Sequence, residues 1–198
     1  MKVSVLSVFL LLFTLGYHPA YSQKNTVEQS NDSVTNYSKK TNSAEGISSK
    51  LQFALKIVSR DKNKALEIVH LALHEAKDIK HKELESKAYH TLGRIYEALE
   101  QKDVAGACYD SSLVIARKNG DYWNIAEALY RKGVLEYSNS KEAKALEALN
   151  ESVQSGRLSK NFKTMGSAYS MMGTIFRVNG FYDRAIEYTV NAKLNYEK

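Results

Sequence analysis

Three glycines, Gly93, Gly133 and Gly173, stand 40 residues apart, and so do four alanines, Ala65, Ala105, Ala145 and Ala185. Small residues recur in the same register at Ala72, Ser112, Ser152 and Ala192, and at Ala76, Ala116 and Gly156. A period of this length commits a chain to stacked copies of one supersecondary unit, each unable to bury its apolar face alone. Residues 86–125 hold the clearest copy. Tyr89, Leu92, Gly93 and Tyr96 share one helical face, and after a polar break at 100–103 a second helix presents Ala105, Tyr109, Ser112 and Leu113. Glycine inside a helix costs ~1 kcal/mol relative to alanine. Its recurrence predicts a partner helix packed close against each glycine, with the alanine series as the facing small residue.

The pattern Tyr89, Leu92-Gly93, Tyr96, then Ala105 and Tyr109, resembles the tetratricopeptide signature W-x2-L-G-x2-Y followed by A-x3-F, with Tyr in place of Trp and Phe. The family period is about 34 residues. The six additional residues are expected at the end of each second helix, as in the long-helix variant of bacterial sensor and regulator proteins. The resemblance implies an all-α fold, a right-handed α-solenoid of antiparallel helix pairs, with about four repeats at 46–85, 86–125, 126–165 and 166–198. The first is degenerate: Leu51, Ala54, Leu55 and Val58 take the roles of Tyr89, Leu92, Gly93 and Tyr96, which shortens the interhelix turn by two residues. The third keeps Leu129, Gly133, Ala145 and Leu149 but places Lys132 and Glu136 where Leu92 and Tyr96 stood. The fourth recovers Tyr169, Met172, Gly173, Phe176 and Ala185. On its last helix Ile186, Val190 and Leu194 recur every four residues, an apolar stripe expected to mediate self-association or to fray.

The first 45 residues differ in kind. Lys2 precedes an apolar run from Val3 to Leu15, a break follows at 16–19, and Ala20-Tyr21-Ser22 supplies small residues before Gln23. That is the form of a secretory signal peptide over residues 1–22, and the run is short for a span of ~20 residues. The expectation is an exported protein, periplasmic or secreted, without a stable membrane span after cleavage. Residues 23–45, rich in Ser, Thr and Asn, lack the apolar surface to offset their ordering entropy and read as a disordered tether.

Chemistry-bearing motifs are sparse. There is no phosphate-binding glycine loop, no nucleophile elbow and no H-E-x-x-H, so the chain is not expected to be an enzyme or to hold a cofactor. His70 and His74 lie one helical turn apart, but two ligands do not close a zinc site, and no metal is expected. Cys108 is the single cysteine, which excludes a disulfide framework within the chain. The net charge of +6 is spread among acids along helix surfaces, so no nucleic-acid partner is expected.

What remains is a surface. The resemblance places the first helix of each repeat along a concave groove, and the first-helix face turned from the core carries Lys87, His90, Arg94 and Glu97, then Glu127, Tyr130, Val134 and Tyr137, then Ser167, Ser170, Thr174 and Arg177. Of these, Lys87, His90, Arg94, Tyr130, Tyr137 and Arg177 are the candidates for binding a protein or peptide, since mixed basic and tyrosine positions suit acidic or C-terminal carboxylate groups. The same resemblance implies a second role, as the N-terminal sensing region of a longer bacterial histidine kinase or transcriptional regulator. The leader reading is directly testable: protein isolated from its native host should begin at Gln23 on terminal sequencing, and a form beginning at Met1 contradicts it.

Overall fold

A computed structural model describes residues 43–198, which form eight α-helices joined by short connections. In chain order these are α1 (Ala44–Ile57), α2 (Lys62–Asp78), α3 (Lys82–Ala98), α4 (Lys102–Lys118), α5 (Tyr122–Ser138), α6 (Glu142–Ser159), α7 (Phe162–Val178) and α8 (Tyr182–Tyr196). Sequential helices pack on one another, and first helices also touch first helices, α1 on α3, α3 on α5 and α5 on α7. The fold is an all-α solenoid of antiparallel helix pairs. Because the odd-numbered helices approach one another, they form its inner layer. No described helix is long and apolar enough to cross a membrane.

Two outcomes differ from the sequence reading. The pairs open at Ala44, Lys82, Tyr122 and Phe162, so the boundaries at 86, 126 and 166 fall one turn inside α3, α5 and α7. The signature residues begin only in the second turn, which leaves the first invisible to them. The expected leader, 1–22, lies outside the described residues, as does all of the 23–45 tether up to position 42. The tether's last residues, Ala44 and Glu45, are the first turn of α1, where the Ser43 side chain accepts from the Gly46 N–H at 3.1 Å.

The six additional residues are not confined to the end of the second helix. First and second helices in the middle of the array are equally long, at 17 or 18 residues. One device ends them all. A residue in the left-handed region occurs at Lys80, Glu100, Gly120, Ser140, Lys160 and Gly180, every 20 residues. The next N–H then bonds back five residues: His81 to the Ala76 carbonyl at 2.9 Å, Gln101 to Tyr96 at 2.9 Å, Asp121 to Ala116 at 2.9 Å and Asn161 to Gly156 at 2.8 Å. The small residues at 76, 116 and 156 are thus the acceptors that turn one repeat into the next. The α1–α2 connection, 58–61, lacks this turn and is one residue longer than the three-residue connections, not shorter.

The glycines face the partner helix, as expected, and meet both the alanine series, at Gly133 and Gly173, and larger side chains. A Cβ on Gly93 would lie 2.5 Å from the Tyr109 ring, and one on Gly133 would lie 2.8 Å from Leu149 Cγ and 3.2 Å from the Ala145 carbonyl. At Gly173 the neighbours are the Ala185 carbonyl and Thr189 Oγ1, both at 3.3 Å. The alanines Ala105, Ala145 and Ala185 are buried one turn earlier and admit the backbone approach. Leu92 is buried, whereas Tyr89 and Tyr96 are half-buried against the first-repeat core. A second close contact joins each middle pair: Ser86 Oγ donates to the Ser112 carbonyl at 2.9 Å, and Ser152 Oγ to the Ala126 carbonyl at 2.8 Å.

Departures from the repeat are compensated by charge. Lys132, which replaces an apolar residue, pairs with Asp110 of α4. In the first pair Lys50 and Glu75 form a buried ion pair between α1 and α2. The last helix departs differently. Val69, Tyr109 and Leu149 are buried at one stacking position, and Leu73, Leu113 and Val153 at another; α8 places exposed Thr189 and Lys193 there.

The glycine contacts carry a direct test. Gly133→Leu should destabilise the protein by about 2–3 kcal/mol in urea unfolding through overpacking, whereas Ser170→Ala, on an exposed position, should stay within about 0.5 kcal/mol.

Candidate functional site

The inner layer of α3, α5 and α7 holds a cleft of about 360 Å³. Its residues come from the middle of α3, the first half of α5 and the start of α7, with Leu55 from α1, and capping fixes the starts of α5 and α7. The Asp121 side chain accepts from the Asn124 N–H at 3.0 Å to start α5, and Asn161 accepts from the Thr164 N–H at 3.2 Å to start α7. Asn161 has a second task, because its amide donates to Glu127 at 3.3 Å across the α5–α7 gap, where the Thr164 hydroxyl also donates to Glu127.

Four of the six sequence-derived candidates line this cleft: Lys87, His90, Arg94 and Tyr130. Two do not. Tyr137, like Tyr130, packs half-buried against the Leu149–Met172 core but lies two turns further along α5 than Tyr130. Arg177 sits at the far end of α7, in a separate recess beside Tyr182. The sequence reading also missed Trp123, Arg131, Lys163 and the Asn161–Thr164 pair. Arg131 is one residue, or about 100° of helix, past Tyr130, and the repeat offers Thr91 and Met171 at its equivalent positions, so no series marks it.

The electrostatics of the cleft are unbalanced. Arg94 and Arg131 lie close enough that, after burial, each other's charge is the largest influence holding the Arg94 guanidinium below its usual range. Neither makes an ion pair within 4 Å, and the Arg131 Nε is buried without a hydrogen-bond partner. The Arg131 guanidinium stands 5.5 Å from the Tyr130 ring. Lys87 and Lys163 add positive charge at the walls. The carboxylate in the cleft, Glu127, is already engaged. Burial raises its pKa, but the hydrogen bonds from Thr164 and Asn161 together with the Arg131 charge hold it below the ordinary value.

His90 lines the floor of the cleft. It is 6% exposed, its ring is 5.7 Å from that of Tyr109, and its Nε2 has no partner. Burial, reinforced by Arg94, Arg131 and Lys87 and opposed by Glu127, lowers its pKa to about 4. The imidazole is neutral at neutral pH, so it contributes shape and not charge. Burial also pushes the Tyr109 hydroxyl far up and the half-buried Cys108 thiol to about 11. Elsewhere His70 and His74 are exposed, with His74 Nδ1 2.9 Å from Asp78. No metal-ligating cluster of three occurs among the described residues.

Comparisons with known proteins agree with the architecture. The chain is similar to the crystal structure of BtubC (BKLC) from P. vanneervenii, with a TM-score of 0.63 and 21% identity over 75% of this chain. It spans 60% of BtubC, and the likeness bears on fold alone. MamA aligns with a TM-score of 0.49 and 18% identity, over 77% of this chain and 90% of MamA. No protein-family profile matches the sequence, and no curated protein matches it significantly.

His90 yields a pH prediction with a fixed sign. Its folded pKa of about 4 lies below the ordinary 6.5, so between these values the unfolded chain binds a proton that the native state excludes. Stability is therefore full above ~6.5 and falls as pH drops toward 4, by up to about 3 kcal/mol. Urea unfolding of His90→Gln should show a flatter profile between pH 6.5 and 4.5 than the parent, and equal slopes contradict the buried neutral state.

Proposed function

We propose that this protein is a binding module, an exported scaffold that holds an acidic stretch of a protein or peptide along the α3–α5–α7 face. One observation carries the reading. Arg94 and Arg131 share the cleft and repel one another, and neither forms an ion pair within 4 Å, while the cleft's acid, Glu127, accepts from Thr164 and Asn161. An anionic ligand relieves such repulsion, and a carboxylate offers two oxygens to two guanidiniums. Lys87 and Lys163 extend the positive field along the cleft. Half-exposed Trp123 and the Tyr130 ring supply flat apolar surface for a neighbouring side chain. Binding rather than catalysis is the fitting role, because His90 is sunk below the surface and faces no nucleophile. Export rests on the leader-like residues 1–22 and sets the proposed location outside the cytoplasm.

Trp123 is the only tryptophan in the chain and lies at the cleft, so its fluorescence reports occupancy. Titration with acidic octapeptides bearing a free C-terminal carboxylate should quench or shift the emission, with affinity falling as salt rises. Arg94→Ala with Arg131→Ala should weaken binding by about tenfold or more, as loss of charge-assisted pairs implies. A response equal for neutral amidated peptides, or unaffected by the double replacement, overturns the proposal.

A further inference from the structure

Along the chain, charges of both signs are interspersed, but the fold sorts them. The turns that join one pair to the next, at 77–83, 117–123 and 157–163, come to one edge of the solenoid, because α3, α5 and α7 lie side by side and start there. Neighbouring pairs are tied at this edge: the Asn124 amide donates to the Glu83 carbonyl at 3.3 Å, and Arg117 pairs with Glu151 of α6 at 2.6 Å. These three segments hold eight basic residues against three acids, while all other described residues hold sixteen against seventeen. The turns within the later pairs, at 97–103, 137–143 and 177–183, form the opposite edge and hold three basic residues against five acids. The positive excess of the array is that of one edge. Helix ends do not account for it. A cation in the last turn favours a helix C-terminus, and α2, α4 and α6 each have one, but α3 and α5, which end at the opposite edge, have none.

We infer that this edge rests on the surface of an anionic phospholipid bilayer, with its cations among the headgroups. Two further observations select that partner. Among the described residues, Lys80, Lys118, Arg157 and Lys160 make no ion pair within 4 Å, so their charge is free to meet phosphate. Apolar side chains also stand exposed on the same turns: Ile79 after α2, Tyr122 and Trp123 at the start of α5, and Leu158, 66% exposed, in the last turn of α6. The repeat does not ask for Leu158, since Asp78 and Lys118 hold its position in the earlier pairs. A single-stranded nucleic acid uses lysines and aromatic rings but not an exposed isoleucine and leucine. A bilayer uses all of them, taking cations at the headgroups and apolar or aromatic side chains at the acyl boundary. The opposite, net negative edge is repelled by such a surface, so the charge asymmetry also sets the orientation, with the helices upright. Arg94 and Arg131 belong to the cleft and not to this edge.

Vesicle flotation tests the inference, using the chain that begins at Gln23 so that the apolar run at 3–15 does not contribute. The expected result is binding to vesicles of phosphatidylcholine mixed with phosphatidylglycerol, none to pure phosphatidylcholine, and weakening as salt rises. Lys80→Gln, Lys118→Gln and Lys160→Gln together should weaken binding about a hundredfold, with helical circular dichroism unchanged. Lys102→Gln with Lys141→Gln, on the opposite edge, should leave it unchanged. Leu158→Ser should weaken it severalfold without altering the salt dependence. Arg94→Ala with Arg131→Ala should bind vesicles as the parent does, which tests this edge apart from the cleft. Equal binding to both kinds of vesicle, a triple variant that binds like the parent, or an equal loss from the opposite-edge pair would each overturn the inference. So would indifference to Leu158→Ser together with displacement from vesicles by a single-stranded oligonucleotide, the mark of a site for polyanions in general.

Discussion

Everything in this structure depends on how closely the two helices of a pair approach. With no Cβ at position 93, 133 or 173, the first helix lies directly against a side chain of the second: the Tyr109 ring, Leu149 and Thr189. The buried alanines one turn earlier let the backbones close in, and Ser86 with Ser112, and Ser152 with the Ala126 carbonyl, fix the pair again further along. Protein interiors forfeit dispersion energy at gaps of half an ångström, so these contacts specify one crossing geometry. The inner layer inherits its spacing from them. A cleft between α3, α5 and α7 exists because three pairs repeat the same approach.

The connections transmit that geometry along the chain. A left-handed residue every 20 positions ends helices of equal length and returns the chain in a fixed direction, although only Gly120 and Gly180 among the six are glycine. An L-residue there costs about 1–2 kcal/mol, which the bond closing each turn helps to offset. The caps at Asp121 and Asn161 then start the helices that build the site, and Asn161 links the repeat framework to the cleft by holding Glu127. Fold and candidate site share this residue. Its hydrogen bond helps hold the Glu127 carboxylate in the cleft that Arg94 and Arg131 also line.

The fold was legible because its determinants are periodic. Gly93, Gly133 and Gly173 with Ala105, Ala145 and Ala185 lie in contacts that every pair must make, so the same residue types recur. The site was legible only in part, for the opposite reason. Lys87, His90, Arg94 and Tyr130 sit on the expected face, but Arg131 and Lys163 have no counterparts in other repeats, and recognition surfaces vary where frameworks repeat. Tyr137 and Arg177 lie further along α5 and α7 than the residues that line the cleft. The depth of His90 was also beyond reach, since burial by Tyr109 depends on a ring 19 residues later in the chain. The turn device was missed because four of its six left-handed positions carry Lys, Glu or Ser, residues that give no sign of that conformation.

The central claim is that glycine and its facing side chain form one steric unit, and a double-mutant cycle on Gly133 and Leu149 measures it most directly. Gly133→Ala places a Cβ within 2.8 Å of Leu149 Cγ, while Leu149→Ala removes the obstructing atoms. The account predicts that the two changes together destabilise the protein by at least about 1 kcal/mol less than the sum of the separate effects in urea unfolding, as expected for residues in contact. Additivity within about 0.3–0.5 kcal/mol would mean that the pair is uncoupled. The close approach would then not be what holds the helices in register.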